Sequence, residues 1–446
     1  MKIRELISAT NAEVIDNADL EKDVTISTDT RTIKQGDFYL PLKGASFDGE
    51  KFINQALEKG AVGSFYTQEL SLPEGECCRD GIFLKVPNTL TAYLQLANYR
   101  RNKLNPSVVA ITGSSGKTTT KELVASVLSE KFKTFKTPLN HNNEIGFCQT
   151  IFEAPDNTEV LVLEMGMRGL GEIELLSKYA EPDITIISNV GTAHIGRLGS
   201  RENIAKAKCE IVSHQRGNIF IAHDDELIKK TVKFEGEKIF YSLKEVEIIE
   251  KSASYSKFRY KGKSYELNVG GDYNIENALA AINTGYSLGL TEVQIQEGLK
   301  KYKPIEKRWE GVGVNINGQE VEVINDSYNA NPESMRAFVD TILELYKDYV
   351  LVLGDMGELG ENEVKYHREL GEYINNKNNL NKNAKIISIG NLSKNITDAV
   401  TKCAVYHFDT IDDAVVFLKK NIQPPVKLFL KASRSMKFEN IISGLS

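Results

Sequence analysis

The chain has 446 residues, a formal net charge of -6, and 41% hydrophobic against 26% charged residues. That length exceeds one ordinary core at roughly 100–200 residues per domain, and three domains are expected. The composition is that of a globular protein without the run of roughly 18 apolar residues a bilayer span needs, so no membrane insertion is expected. An acidic balance also disfavours a nucleic-acid partner, which needs a concentrated basic surface.

At the N-terminus, Arg4, Glu5, Asn11 and Glu13 interrupt the apolar residues, which excludes the uninterrupted core of a secretion signal and predicts a cytoplasmic protein. Residues 1–103 read as a small α/β domain. DFYLPL and GIFLKV look like strands, and GEKFINQALEKGA has helical spacing, with Phe52, Ala56 and Leu57 on one face and Gly60 as its stop. Asn105-Pro106 marks a boundary. From Ser107, the apolar runs SVVAIT, VLVLEM, ITIISNV and NIFIAH alternate with helical segments, the pattern of a parallel sheet covered on both faces. The helix NIENALAAINTGYSLG closes this central domain, 104–303, and Lys303-Pro304 is the next linker. VEVINDSY, YVLVLGDM, KIISIG and VKLFLKAS then predict a Rossmann-like, doubly wound domain over 304–446. The five cysteines, Cys77, Cys78, Cys148, Cys209 and Cys403, have no CxxC spacing and read as reduced thiols. Each predicted domain is self-contained, so a monomer is expected.

The chemistry starts at GSSGKTT. After the strand SVVAIT, Gly113, Ser114, Ser115 and Gly116 form a turn tight enough for backbone N–H groups to face a phosphate at a helix N-terminus. Lys117 supplies a charge to the outer phosphates, Thr118 a hydroxyl to Mg²⁺, and Thr119 continues the helix. Only two residues separate the glycines, where the common ATPase loop has four, so this is a variant P-loop. Glu164 ends VLVLE, where such proteins keep a metal-binding carboxylate; alone it is equally a solvated strand end. His194 follows another strand, and an isolated histidine there is either structural or a metal donor.

These motifs resemble the Mur ligases, ATP-dependent amide-forming enzymes of peptidoglycan synthesis, and the resemblance runs through nearly the whole chain. The family's loop has the short spacing of GSSGKTTT. The further blocks are TPLNHNNEIG with Asn140, Asn142 and Asn143, LVLEMGMRGLGEI with Glu164, and SNVGTAHIGRLGSRENIAKAKCEI with His194 and Lys208. Then come GGDYNIENALAA with Asn274 and Asn277, NDSYNANPESM with Asp326, Tyr328 and Asn329, and KASRSMKFE with Arg434. One departure is Tyr273, where family members usually have histidine; an aromatic ring could still flank the adenine.

The resemblance implies a UDP-binding N-terminal domain, a central ATP-binding domain and a C-terminal domain for the amine. VLGDMGELG and NDSYNANP point, within the family, to addition of D-alanyl-D-alanine to UDP-N-acetylmuramoyl-tripeptide through an acyl phosphate. It further implies ATP with two Mg²⁺ ions, metal ligands Thr118, Glu164, His194 and Lys208, and carbamylation of Lys208. Asn274, Asn277, Arg308 and Asp326 are implied for ATP, and Lys117, Glu164, His194 and Lys208 for catalysis. Asp29, Thr30, Arg31, Lys43, Gly44, Asp48 and Gly49, with Asn140, Asn142 and Asn143, are implied for the UDP substrate; Tyr328, Asn329, Asp355, Glu358 and Arg434 for D-alanyl-D-alanine. Two alternatives stand beside this: an amide ligase for another acceptor, disfavoured by the UDP-type block and the lack of a DNPR-like reader, and a nucleotide-dependent binding module, disfavoured by the intact Lys117, Glu164, His194 and Lys208.

Overall fold

The computed structural model describes residues 1–15, 19–44, 47–67, 81–252, 254–304 and 308–446. It divides into two compact units, Met1–Pro106 with His141–Thr158, and Ser107–Asn140 with Glu159–Ser446. Cys77 and Cys78 lie outside the described residues; Cys148, Cys209 and Cys403 are free thiols.

The first unit is built on strands β1 (Glu13–Ile15), β2 (Ile26–Ser27), β3 (Phe38–Tyr39), β4 (Gly63–Tyr66) and β5 (Ile82–Lys85), in the order β1-β5-β4-β3-β2. Only β1 runs antiparallel to its neighbour. The segment expected as one helix around residue 52 is a 3-10 turn, Gly49–Phe52, followed by the helix Ile53–Glu58, which ends before Gly60 at φ +103°. His141–Thr158, inside the range expected for the central domain, packs with this first unit. Its helix Glu144–Glu153 lies on the helix Thr89–Leu104, with Tyr93 and Phe152 stacked at 5.5 Å and Arg100 Nη2 2.6 Å from Asp156.

The second unit begins with β6 (Ser107–Thr112), β7 (Thr134–Lys136), β8 (Val160–Glu164), β9 (Ile184–Ile187), β10 (Ile219–His223) and β11 (Glu237–Tyr241). These form an all-parallel sheet in the order β11-β10-β9-β6-β8-β7. Such strands are buried on both faces, which is why SVVAIT and VLVLE are uninterrupted apolar runs. The helices Lys117–Leu128 and Asp272–Ser287 pack together over this sheet and share its core of Val109, Ile111, Leu123, Ala278 and Ile282. A further helix, Glu292–Lys301, follows the one expected to close this region; a side chain at its Gly298 would meet the Val127 backbone, so the missing Cβ sets its close approach.

Between these lies a small antiparallel sheet, β12 (Val246–Lys251), β13 (Ser256–Tyr260) and β14 (Lys263–Leu267). The C-terminal sheet contains β15 (Glu310–Ile316), β16 (Gln319–Asn325), β17 (Tyr349–Gly354), β18 (Lys385–Ile389), β19 (Ala404–Phe408) and β20 (Lys427–Lys431), in the order β15-β16-β20-β17-β18-β19. Its parallel part is the expected doubly wound arrangement, and β15 adds an antiparallel edge. Asn317 and Gly318, at φ +52° and +84°, make the two-residue turn of that hairpin, both in the left-handed region such turns require.

Candidate active site

Strand β6 sits between β9 and β8, where the strand order reverses and open α/β sheets bind ligands outside their carboxyl ends. The loop Gly113–Gly116 leaves it there and enters the helix Lys117–Leu128. Gly116 has φ +75°, and a Cβ at that position would lie 2.5 Å from Asn277 Oδ1, so conformation and space both call for glycine. The same Asn277 oxygen accepts a hydrogen bond from Thr120 Oγ1 at 3.1 Å.

Asn189, just beyond β9, clamps the loop. The N–H groups of Ser114 and Ser115 donate to its Oδ1 at 3.2 and 3.0 Å, and its Nδ2 donates to the Ser115 carbonyl at 3.1 Å. Ser188 donates its hydroxyl to the same carbonyl at 2.6 Å, and Gly191 N–H donates to Ser114 Oγ at 2.9 Å. The loop is therefore held in shape by the protein itself, which lowers the ordering cost of binding a phosphate. Lys117 Nζ donates to the Gly113 carbonyl at 2.8 Å.

Charge gathers behind the loop. Glu164 ends β8 and is 2% exposed, paired in register with Ile111. Burial pushes the Lys117 amine below the usual lysine range, Glu164 opposes that shift, and Arg308 adds to it. Lys208, on the helix Arg201–Cys209 capped by Ser200, is 1% exposed; burial and then the charge of Lys117 push it well below its usual range. Arg308 reaches the same place from the C-terminal part, donating from Nη2 to Thr118 Oγ1 at 2.9 Å, with its guanidinium 4.1 Å above the Tyr328 ring.

His194 Nδ1 lies 2.5 Å from Glu358 Oε2, and that contact, ahead of burial, holds the Glu358 carboxyl below its usual range. Among the described residues no three His, Cys, Asp or Glu side chains come together as a metal centre, so the implied ligand set depends on Thr118 and a modified Lys208. Asp326 takes the Lys431 ammonium at 2.5 Å, and Asn274 Nδ2 donates to the Gly270 carbonyl at 2.6 Å. Tyr273 packs edge-on against Trp309 at 6.2 Å, which gives its ring a core partner. Asn329 accepts the Ala330 N–H on its side chain, while Asp355 Oδ1 accepts those of Leu392 and Ser393 at 3.1 and 2.7 Å. Arg434 pairs with Glu439 at 2.6 Å.

In the first unit, Asp29 is paired with Arg31, whose hydrogen bonds hold its carboxyl down at about 2, and Thr30 Oγ1 donates to Gln55. Lys43 and Asp48 bridge antiparallel, and Gly49 passes so close to the Leu42 backbone that a Cβ would lie 2.6 Å from its carbonyl oxygen. Gly44 N–H closes this turn on the Phe47 carbonyl at 2.8 Å. Asn143 caps the helix Glu144–Glu153 through Gly146 N–H at 3.0 Å; Asn142 precedes it, and Asn140 belongs to the second unit.

The sequence pattern of the Mur ligase middle domain matches residues 111–285, and that of the Mur ligase, glutamate ligase domain matches 307–434. A UDP-N-acetylmuramoyl-tripeptide–D-alanyl-D-alanine ligase of Bacillus subtilis is 35% identical over 94% of this chain and 92% of its own length. The chain belongs to the Mur ligase family. Among solved structures, MurF from Acinetobacter baumannii superposes on this Mur ligase with a TM-score of 0.88 at 29% identity, covering 100% of this chain and 98% of that one. MurF ligase from Thermotoga maritima in complex with ADP gives 0.81 at 26% identity, over 94% and 96%.

Three features of this Mur ligase's site escape the sequence reading. Asn189 stands within SNVGTAHIG, yet its partners are 74 and 75 positions away. Glu333 accepts both the N–H and the hydroxyl of Thr192, at 3.0 and 2.9 Å, across 141 positions. The third is a buried lysine, Lys121, whose signal is only that it sits one helical turn beyond Lys117.

Proposed function

We propose that this chain forms the amide between D-alanyl-D-alanine and the terminal carboxylate of UDP-N-acetylmuramoyl-tripeptide, with ATP converted to ADP and phosphate, in cytoplasmic peptidoglycan precursor synthesis. The observation that carries this is the convergence of Lys117, Glu164, Lys208 and Arg308 behind a glycine loop that the protein itself holds in shape. A carboxylate repels nucleophiles until it is phosphorylated. Lys117 and Arg308 bring positive charge to the transferring phosphoryl oxygens, so the acyl phosphate forms and the amine then displaces phosphate from it.

The oxygen donors Thr118 and Glu164 suit Mg²⁺, which when bound neutralises phosphate charge. For a second ion, Glu164, His194 and carbamylated Lys208 are the candidate ligands. His194 fits: a carboxylate on one ring nitrogen, here Glu358 on Nδ1, is the usual arrangement that orients the other nitrogen toward a metal. Lys208 fits as well, because an amine pushed toward its neutral form adds to CO₂, releasing a proton and leaving an oxygen donor.

Asn274, Asn277, Arg308 and Asp326 take ATP in this reading. Residues 1–103, 104–303 and 304–446 serve UDP, ATP and dipeptide recognition in turn. Asp29, Thr30, Arg31, Lys43, Gly44, Asp48, Gly49, Asn140, Asn142 and Asn143 serve the UDP substrate. Tyr328, Asn329, Asp355, Glu358 and Arg434 serve the dipeptide, with Arg434 suited to its carboxylate by a paired hydrogen bond. The protein acts as a monomer.

The test is phosphate release from ATP and Mg²⁺ with each substrate alone and with both, together with the mass of the product. Release that needs both, and a product heavier by the dipeptide less one water, is expected. Release without either substrate, or none at all, would overturn the reading.

A further inference from the structure

Lys121 is fully buried, on the helix that carries Lys117, and it is in none of the sets that the phosphate loop, the metal or the substrates require. Its ammonium donates to the carbonyls of Thr137 at 2.8 Å and Leu139 at 3.0 Å, and lies 3.2 Å from Glu122 and 3.8 Å from Glu164 Oε2. A lysine is almost never fully buried unless its charge is paired, and here the partners occupy three different segments. The helix after the phosphate loop, the chain beyond β7 and the end of β8 all meet at one Nζ.

Each of those segments has a second tie that gives the junction a direction. Thr137 Oγ1 accepts the backbone N–H of Glu164 at 3.0 Å, so the residue whose carbonyl Lys121 grips also fixes the main chain of the carboxylate. Glu122 is shared, one oxygen with Lys121 and the other with Lys136 at the end of β7. Leu139 is in the left-handed conformation at φ +47°, with 72% of its surface exposed. A leucine in that conformation is strained, and an exposed side chain contributes no packing to hold it. The hydrogen bond from Lys121 to its carbonyl is what the structure offers in compensation.

We propose that Lys121 is a positioning residue for Glu164: it fixes the direction of the carboxylate and the turn at 137–139 beside it, without itself touching nucleotide. This rests on the reading of Glu164 as a Mg²⁺ ligand. Lys117 and Lys121 are four positions apart on one helix face, where like charges repel, and Glu164 is the carboxylate both of them face. One lysine is directed to the loop and the other away from it, so Glu164 is held between a phosphate-binding cation and a structural one. Losing the structural cation frees the carboxylate to swing toward Lys117 and leaves two carbonyls without their donor.

The test is calorimetric titration of the full chain with ADP, with and without Mg²⁺, for wild type, Lys121→Met and Thr137→Val, with thermal melting to verify folding. Groups that orient metal ligands typically change metal affinity about 10- to 100-fold. In folded Lys121→Met, the strengthening of ADP binding by Mg²⁺ should therefore fall at least about tenfold, while ADP affinity in EDTA stays within about twofold because the glycine loop is untouched. A folded Lys121→Met with the wild-type Mg²⁺ effect would overturn the proposal. If Lys121→Met does not fold, Thr137→Val decides: it keeps the lysine and its carbonyl acceptors, removes the acceptor for Glu164 N–H together with the hydroxyl's 3.5 Å bond to the Val162 carbonyl, and should lose part of the Mg²⁺ effect; an unchanged effect overturns. Wild type showing no Mg²⁺ effect would instead remove the reading of Glu164 on which the proposal rests.

Discussion

Lys208 illustrates how one position changes meaning with its surroundings. A lysine late in a nine-residue helix is ordinarily a solvated cation, yet this one is 1% exposed and faces Lys117. Two ammonium groups so placed repel, and conversion of one to a carbamate exchanges repulsion for attraction. If Lys208 acts as the metal ligand proposed above, Lys208→Ala is expected to lower kcat by more than about 100-fold while leaving ADP affinity without Mg²⁺ close to wild type. Labelling with ¹³C-bicarbonate should give a carbamate resonance that the variant lacks; its absence from wild type would exclude the modification. The loop itself was legible because glycine, lysine and threonine at a strand-to-helix junction have few other uses. Asn189 was not, because an asparagine after a strand carries no mark of the loop it will clamp from 74 positions away.

Elements divide along the same line. The central parallel strands, such as β6, β8, β9 and β17, are legible as apolar runs because both faces are buried, whereas β7, β11 and β19 are partly exposed and are not; the long helix Asp272–Ser287 is legible from its length. The antiparallel strands β12 to β15 were not read: β12 is exposed on most of its residues and β15 alternates, so neither is an apolar run. Within the helix Glu363–Asn375, His367 fixes the chain that carries Glu358. Met356 N–H donates to its Nε2 at 2.9 Å, so the ring proton is on Nδ1 and is donated to the Glu363 carbonyl at 2.7 Å. Burial holds this imidazole below its usual range, in the neutral form that the Met356 bond needs. Unfolded chain therefore binds the proton first as pH falls below about 6.5, and stability drops by up to about 1.4 kcal/mol per pH unit between that value and the lower folded pKa. Urea midpoints measured from pH 7.5 to 5 should show this decline, with a shallower slope in His367→Gln. Equal slopes would assign the pH dependence elsewhere.

At the scale of the molecule, strand–helix alternation together with the GSSGKTT loop predicted a nucleotide-binding sheet followed by a second doubly wound sheet, but not how the two are joined. That joining lies in side chains paired across more than a hundred positions. Glu333, in the first turn of the helix Pro332–Leu345, accepts both donors of Thr192, and His194 meets Glu358. Gly196 and Gly360 touch so closely that a Cβ on the former would lie 2.5 Å from the latter's nitrogen. Because Ser114 of the phosphate loop receives Gly191 N–H, the loop and the Glu333 contact are one residue apart along the chain. Adjacent residues, Gly191 and Thr192, thus hold the phosphate loop on one side and the C-terminal part on the other. Thr192→Val and Glu333→Gln each leave part of the contact, and in combination they should cost less than the sum of the two alone. The expected coupling is about 0.5–3 kcal/mol in kcat/KM for ATP, the range for residues in one hydrogen-bonded network, with ADP affinity nearly unchanged. An additive cycle would mean that the contact only fastens the two sheets together, and that communication between them runs through the other contacts, Arg308 on Thr118 and His194 on Glu358.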